Sequence, residues 1–154
     1  MLTEQEILNK VYRYCALQER SPAEIRRKVI KLGGEEAMVK GIIGHLLHEK
    51  LLDEERFAML FVQGKMNSRK WGEVKIADAL RSHGISEKII ADCLQRLVRE
   101  AYTEMMMHEL LKKWKTLKDE DGKVKKMKLI RFGQQRGYNI GHIMSCLKQP
   151  EFSE

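Results

Sequence analysis

The chain repeats itself. With an offset of 53 residues, Gly84, Ile85 and Ser86 fall on Gly137, Tyr138 and Asn139, and Ile89, Ile90, Cys93 and Leu94 fall on His142, Ile143, Cys146 and Leu147. A helix-stopping glycine, a capping side chain and an apolar stripe thus coincide at one constant spacing, the mark of a repeated supersecondary unit. An earlier copy matches more loosely. Gly33 pairs with Gly84 at offset 51, whereas Ile42, Ile43, Leu46 and Leu47 pair with Ile89, Ile90, Cys93 and Leu94 at offset 47, so the first unit carries a longer turn.

Each unit spells helices. Thr3 and Glu6, then Ser21 and Glu24, sit at capping-box spacing, and Pro22 occupies a first helical position, where its missing N–H costs nothing. Leu8, Val11 and Cys15, then Ile25, Val29 and Leu32, give apolar stripes at helical spacing. Asp53 and Ser86 are further N-cap candidates, Asn139 opens the last helix, and Gly33-Gly34, Gly84 and Gly137 read as C-terminal stops. Met107, Leu110, Leu111, Trp114 and Leu117 mark a long helix before the basic one. Alternating β-branched runs are missing. The pattern predicts an all-α chain of three tandem three-helix repeats, 1–52, 53–98 and 99–154, stacked into an elongated, curved body.

With 43% hydrophobic and 33% charged residues the composition is that of a folded chain with a heavily charged surface. No apolar run approaches the ~20 residues that span a bilayer, and the acidic start Thr3-Glu4-Gln5-Glu6 lacks the pattern of a secretory signal. Cys15, Cys93 and Cys146 are isolated and odd in number, which argues against a disulfide framework or a Cys-x-x-Cys zinc site. A cytoplasmic protein with no membrane partner is expected, and three stacked repeats favour a monomer.

Catalytic apparatus is hard to find. There is no phosphate-cradling glycine loop, no Gly-x-Ser-x-Gly elbow and no His-Glu-x-x-His. His45 and His48 lie three apart on a predicted helix without a third ligand nearby in sequence, and Asp53, Glu54 and Glu55 suit a first helical turn, where the macrodipole favours negative charge. Cys93 and Cys146 occupy equivalent stripe positions and read as core. Met105, Met106 and Met107 point in three directions, so at least one is expected inside. No catalytic residue, metal or cofactor is expected.

Charge is what remains. Residues 110–136 hold ten Lys and Arg against three Asp and Glu, a local excess equal to the +7 of the whole chain. Lys112, Lys113 and Lys115 end one helix, and Lys123, Lys125, Lys126, Lys128, Arg131 and Arg136 populate the next. Such a run attracts phosphates by releasing condensed counterions, which gives salt-dependent, sequence-insensitive affinity for single- or double-stranded DNA. It would attract an acidic protein as well. Trp114 and Tyr138 are candidates for stacking on bases.

Three segments resemble the RecX family: Arg20-Ser21-Pro22-Ala23-Glu24-Ile25-Arg26-Arg27-Lys28, then Leu51-Leu52-Asp53-Glu54-Glu55-Arg56-Phe57-Ala58, then Trp71-Gly72-Glu73-Val74-Lys75-Ile76 continuing through Leu80-Arg81 to Gly84-Ile85-Ser86. The resemblance as a whole covers roughly residues 12–97, and the third repeat agrees in layout more than in letters. The resemblance implies three tandem three-helix repeats, binding to the RecA nucleoprotein filament, and inhibition of RecA recombinase, ATPase and coprotease activity in DNA repair. It brings no catalytic residues. Arg26, Arg27, Arg56 and Arg81 are additional contact candidates, and for Arg56 and Arg81 an internal salt bridge is the alternative. Two other readings stand beside it: an independent helix-turn-helix DNA-binding protein, and a helical protein-interaction scaffold.

Overall fold

The computed structural model describes residues 1–118 and 121–153; residues 119 and 120 of the basic segment fall outside that description. The described residues form nine α-helices and a closing 3-10 turn, with no strand among them. In chain order these are α1 (Glu4–Leu17), α2 (Pro22–Lys31), α3 (Glu36–His48), α4 (Glu54–Arg69), α5 (Glu73–Ser82), α6 (Glu87–Gln95), α7 (Arg99–Trp114), α8 (Gly122–Arg136) and α9 (Ile140–Leu147). The all-helical, repeated architecture is the one the sequence predicts.

The caps fall where the side chains allow. Thr3 and Ser21 make full capping boxes with Glu6 and Glu24, Asp53 accepts from the Arg56 amide at 3.0 Å, and Asn139 accepts from the amides of Gly141 and His142. Gly33, Gly84 and Gly137 all take positive φ, at 93°, 82° and 91°. Three stripes differ from their expectation: on α1 Ile7 is buried and Leu8 only partly so, and on α3 Leu47 is exposed. On α7 the buried ladder is Tyr102, Met106, Leu110 and Trp114, with Met107 and Leu111 at its margin. Tyr102 sets this phase: steps of four from it reach Met106, not Met107.

The chain packs into two compact units that alternate along the sequence. One comprises Met1–Phe61 with Ala79–Cys93, the other Val62–Asp78 with Leu94–Glu154. In the first, Ile7, Val11, Ile25, Val29, Ile42 and Leu46 close the core of α1 to α3. In the second, the α7 ladder packs with Leu129 of α8, Tyr138, Ile143 of α9 and Phe152.

A similar joint is built in each unit. In the first, the Ala23 amide at the start of α2 donates to the His83 carbonyl at 3.1 Å, and Gly84 lies against Pro22. Ser21 is fully buried there. Its Oγ accepts the Glu24 amide and, with His83 protonated at Nε2, donates to Nδ1 at 2.9 Å. In the second, the amides of Gly72 and Val74 at the start of α5 donate to the carbonyls of Arg136 and Gly137 at 2.7 and 2.9 Å. The approach is close enough to require glycine twice. A Cβ on Gly72 would collide with the Gly137 carbonyl, and one on Gly137 would collide with Lys75 Cβ. The C-terminal stop of one middle helix thus docks on the N-terminal cap of the preceding middle helix.

Candidate nucleic-acid and partner interface

Helix α8 is anchored by Leu129 and by Gly133, whose missing side chain admits Ile143: a Cβ there would meet the Ile143 methyl at 2.7 Å. Two fixed points on one stripe decide where every cation of the helix points. Lys123, Lys128 and Arg131 are exposed, sharing the outer side with Val124 and with Met127, which is 64% exposed. Lys125, Lys126 and Arg136 flank the packed stripe and are half-buried. Lys125 carries its ammonium 3.9 Å from the Trp114 ring centroid. Arg136 bonds the Glu109 carboxylate at 2.9 Å and lies 4.8 Å from the Phe132 centroid. On α7 and just beyond it, Lys112 and Lys115 are exposed, and Lys113 leans toward Phe132 at 5.6 Å. The ten-cation run is therefore not one uniform face. It divides into an outward set and an inward set that braces the unit.

The outward set has an electrostatic cost. No acidic residue lies in the first turn of α8, which carries lysines where the helix dipole is positive. Asp121, capping through the Lys123 amide at 2.9 Å, offsets part of it. Cations held against a helix N-terminus are poised to accept an external anion.

The stacking candidates are corrected by burial. Trp114 is 8% exposed and Tyr138 2%, and the Tyr138 hydroxyl donates to the Lys70 carbonyl at 2.7 Å, so neither ring can receive a base. Burial pushes the Tyr138 phenol above its ordinary range. The tyrosine is a structural post. Partly exposed aromatics with cations over them are Tyr14 in the first unit, with Arg20 and Lys28 at 3.6 and 5.1 Å, and in the second unit Trp71, with Lys65 and Lys75 at 5.0 and 4.7 Å, and Phe132. A tryptophan with lysines six residues before and four after it was the available signal.

The secondary candidates separate. Arg56 is engaged internally, donating to Glu19 at 2.8 Å and to the Lys50 carbonyl at 3.1 Å, with Asp53 at 3.5 Å. Its brace holds the left-handed Lys50, at φ 60°. Arg81 pairs with Glu87, whose carboxyl it holds below the usual range, and Arg26 pairs with Glu36. Arg27 is exposed without an ion pair among the described residues. His45 bonds the Tyr12 hydroxyl. Among the described residues no three His, Cys, Asp or Glu side chains gather as a metal set, and no helix is long and apolar enough to cross a membrane. Cys93 and Cys146 are buried core, and burial raises the Cys146 thiol.

Comparison with known proteins finds the RecX family. Residues 53–94 match the model for the second three-helix domain of RecX, and residues 100–147 match that for the third, together more than half of the chain. The regulatory protein RecX of Clostridium perfringens (strain SM101 / Type A) is 32% identical over 145 residues, covering 92% of this chain and 66% of that protein. That of Bacillus mycoides (strain KBAB4) is 26% identical over 136 residues, covering 88% and 50%. The chain thus spans between half and two thirds of the length of these relatives. In structure, a RecX from Lactobacillus salivarius superposes with a TM-score of 0.81 at 21% identity over 94% of both chains. A second crystal structure of regulatory protein RecX gives 0.82 at 21% identity over 97% of this chain and 81% of that one.

Proposed function

Because this chain belongs to the RecX family of regulatory proteins, we propose that it binds the RecA nucleoprotein filament and restrains RecA recombinase, ATPase and coprotease activity. The match to two successive RecX domain models carries the reading. It acts without chemistry of its own, as a monomer that competes for surface on the filament.

The outward cations of the third repeat support the contact. Lys112, Lys115, Lys123, Lys128 and Arg131 are exposed, and the lysine at the N-terminus of α8 is kept against the local helix field. A nucleoprotein filament presents phosphates and acidic side chains together, and both are attracted by such a set. The nucleic-acid share of binding is weak and indifferent to sequence, because an exposed lysine reads charge and not base edges.

Titration into RecA-catalysed strand exchange and single-strand-dependent ATP hydrolysis tests this. Inhibition is expected at amounts from substoichiometric to comparable with RecA. Unchanged RecA activity across a wide titration would sink the proposal. Neutralising Lys123, Lys128 and Arg131 together as glutamines should weaken inhibition and flatten its salt dependence, with the helical signal intact.

A further inference from the structure

We propose that Trp71 and Phe132 form a binding site for single-stranded nucleic acid, with Trp71 and Phe132 as base platforms and Lys65, Lys75, Lys112 and Lys113 as phosphate contacts. The site rests on the nucleic-acid part of the function proposed above and is independent of RecA.

Trp71 occupies the turn between α4 and α5, and that turn is held from several sides. Lys70 adopts a left-handed φ of 57°, which lysine rarely accepts, and its carbonyl is fixed by the buried Tyr138 hydroxyl at 2.7 Å. The Trp71 amide closes α4 on the Lys65 carbonyl at 3.3 Å, and Gly72 is pressed against Gly137. A strained residue persists where its surroundings over-determine it, and such places cluster at binding sites. What this turn presents is a partly exposed indole with two ammonium groups at 4.7 and 5.0 Å. The nearby carboxylate of Glu73 is engaged by Arg99 and does not oppose an anion.

Phe132 extends the site. Lys75 Nζ donates to the Gln135 carbonyl at 3.2 Å, which ties the tryptophan turn to the last turn of α8. Phe132 lies one turn earlier on that helix, again partly exposed and again with cations over its ring, Arg136 and Lys113. It lines a groove of about 200 Å³ with Lys112 and Thr116. Glu109 also lines this groove, but Arg136 takes its charge.

Each ring carries cations over it, and a base that takes their place on a π-face leaves them to the neighbouring phosphates, which matches a chain whose bases and phosphates alternate. Every base has a π-face, so the platform tolerates any sequence. Paired, stacked bases of a duplex cannot lie on a ring seated in a turn. An acidic peptide would use the lysines and gain little from the rings.

The two tryptophans make the test direct, since Trp114 is buried and Trp71 is not. On titration of the full chain with a short oligothymidylate, Trp71 emission should be quenched. Trp71→Ala should loosen binding about tenfold, and Trp71→Phe should retain most of the affinity while losing the quench. Lys65→Gln with Lys75→Gln should lower the log–log salt slope by about 1.4, the share of two phosphates on a single strand. Circular dichroism checks each fold, and if Trp71→Ala fails to fold, the phenylalanine and glutamine variants decide. Wild-type affinity in Trp71→Ala, or a wild-type salt slope in the glutamine pair, overturns the site, as does a quench that survives in Trp71→Phe or equal affinity for a duplex of the same length. Equal competition by polyglutamate assigns the patch to an acidic protein and overturns it too. Binding that depends on Lys123 and Lys128 without quenching refutes this site alone, whereas no binding of the oligonucleotide refutes the nucleic-acid part of the proposed function with it.

Discussion

Glu109 is 6% exposed on α7, and its charge is kept by two neighbours. Burial opposes ionisation, but hydrogen bonds from Arg136 and His108 outweigh it and hold the carboxyl below the usual glutamate range. A depressed acid stabilises the fold above its unfolded pKa of about 4.3, and that contribution is lost as pH falls through the folded value. The melting temperature should therefore drop steeply below about pH 4. Glu109→Gln should cost about 2 kcal/mol at neutral pH, since Arg136 is left half-buried without its partner, and should flatten the acid limb. Thermal melts across pH check both. Ser21 is the other buried polar side chain among the described residues, and it serves a helix cap and His83 at once. Ser21→Ala should cost about 1–2 kcal/mol by chemical denaturation, at the upper end for a lost cap.

Among the elements, the three left-handed glycines look interchangeable in sequence and are not so in structure. Gly33 has open space around its Cβ position, whereas Gly137 is pressed onto Lys75. Gly33→Ala should therefore cost only the conformational term of about 1 kcal/mol. Gly137→Ala should cost well over twice that, because backbone must move as well; urea midpoints at constant slope compare the two. This contrast also marks how far the sequence could be read. Caps and stops were legible because they rest on contacts within a few residues, as at Thr3, Ser21, Asp53 and Gly84. The phase of α7 was not, since three consecutive methionines satisfy several helical stripes and only the long-range packing of Tyr102 selects one. The cationic segment was legible as charge but not as direction. Leu129 and Gly133 decide that Lys123 points out while Lys125 turns to Trp114, and sequence spacing alone does not show which apolar residues win the core. Gly72 and Trp71 belong to a joint whose other half lies more than sixty residues away.

At the scale of the whole molecule, the two compact units do not occupy successive stretches of chain. Residues 62–78 belong to the second unit although the first is completed only by 79–93. A chain cut after residue 98 keeps every residue of the first unit, while Lys70, Trp71 and Gly72 lose Tyr138, Arg136 and Gly137. That truncated chain should still melt cooperatively, and limited proteolysis should find new cleavage within residues 62–78.

The recurring joint also orders events in time. Translation delivers Ser21 long before His83, and Gly72 long before Gly137, so each cap emerges from the ribosome well ahead of the carbonyl that docks on it. The middle helices α2 and α5 are each left waiting for the end of the next middle helix to be made, so the nascent chain is locked from behind.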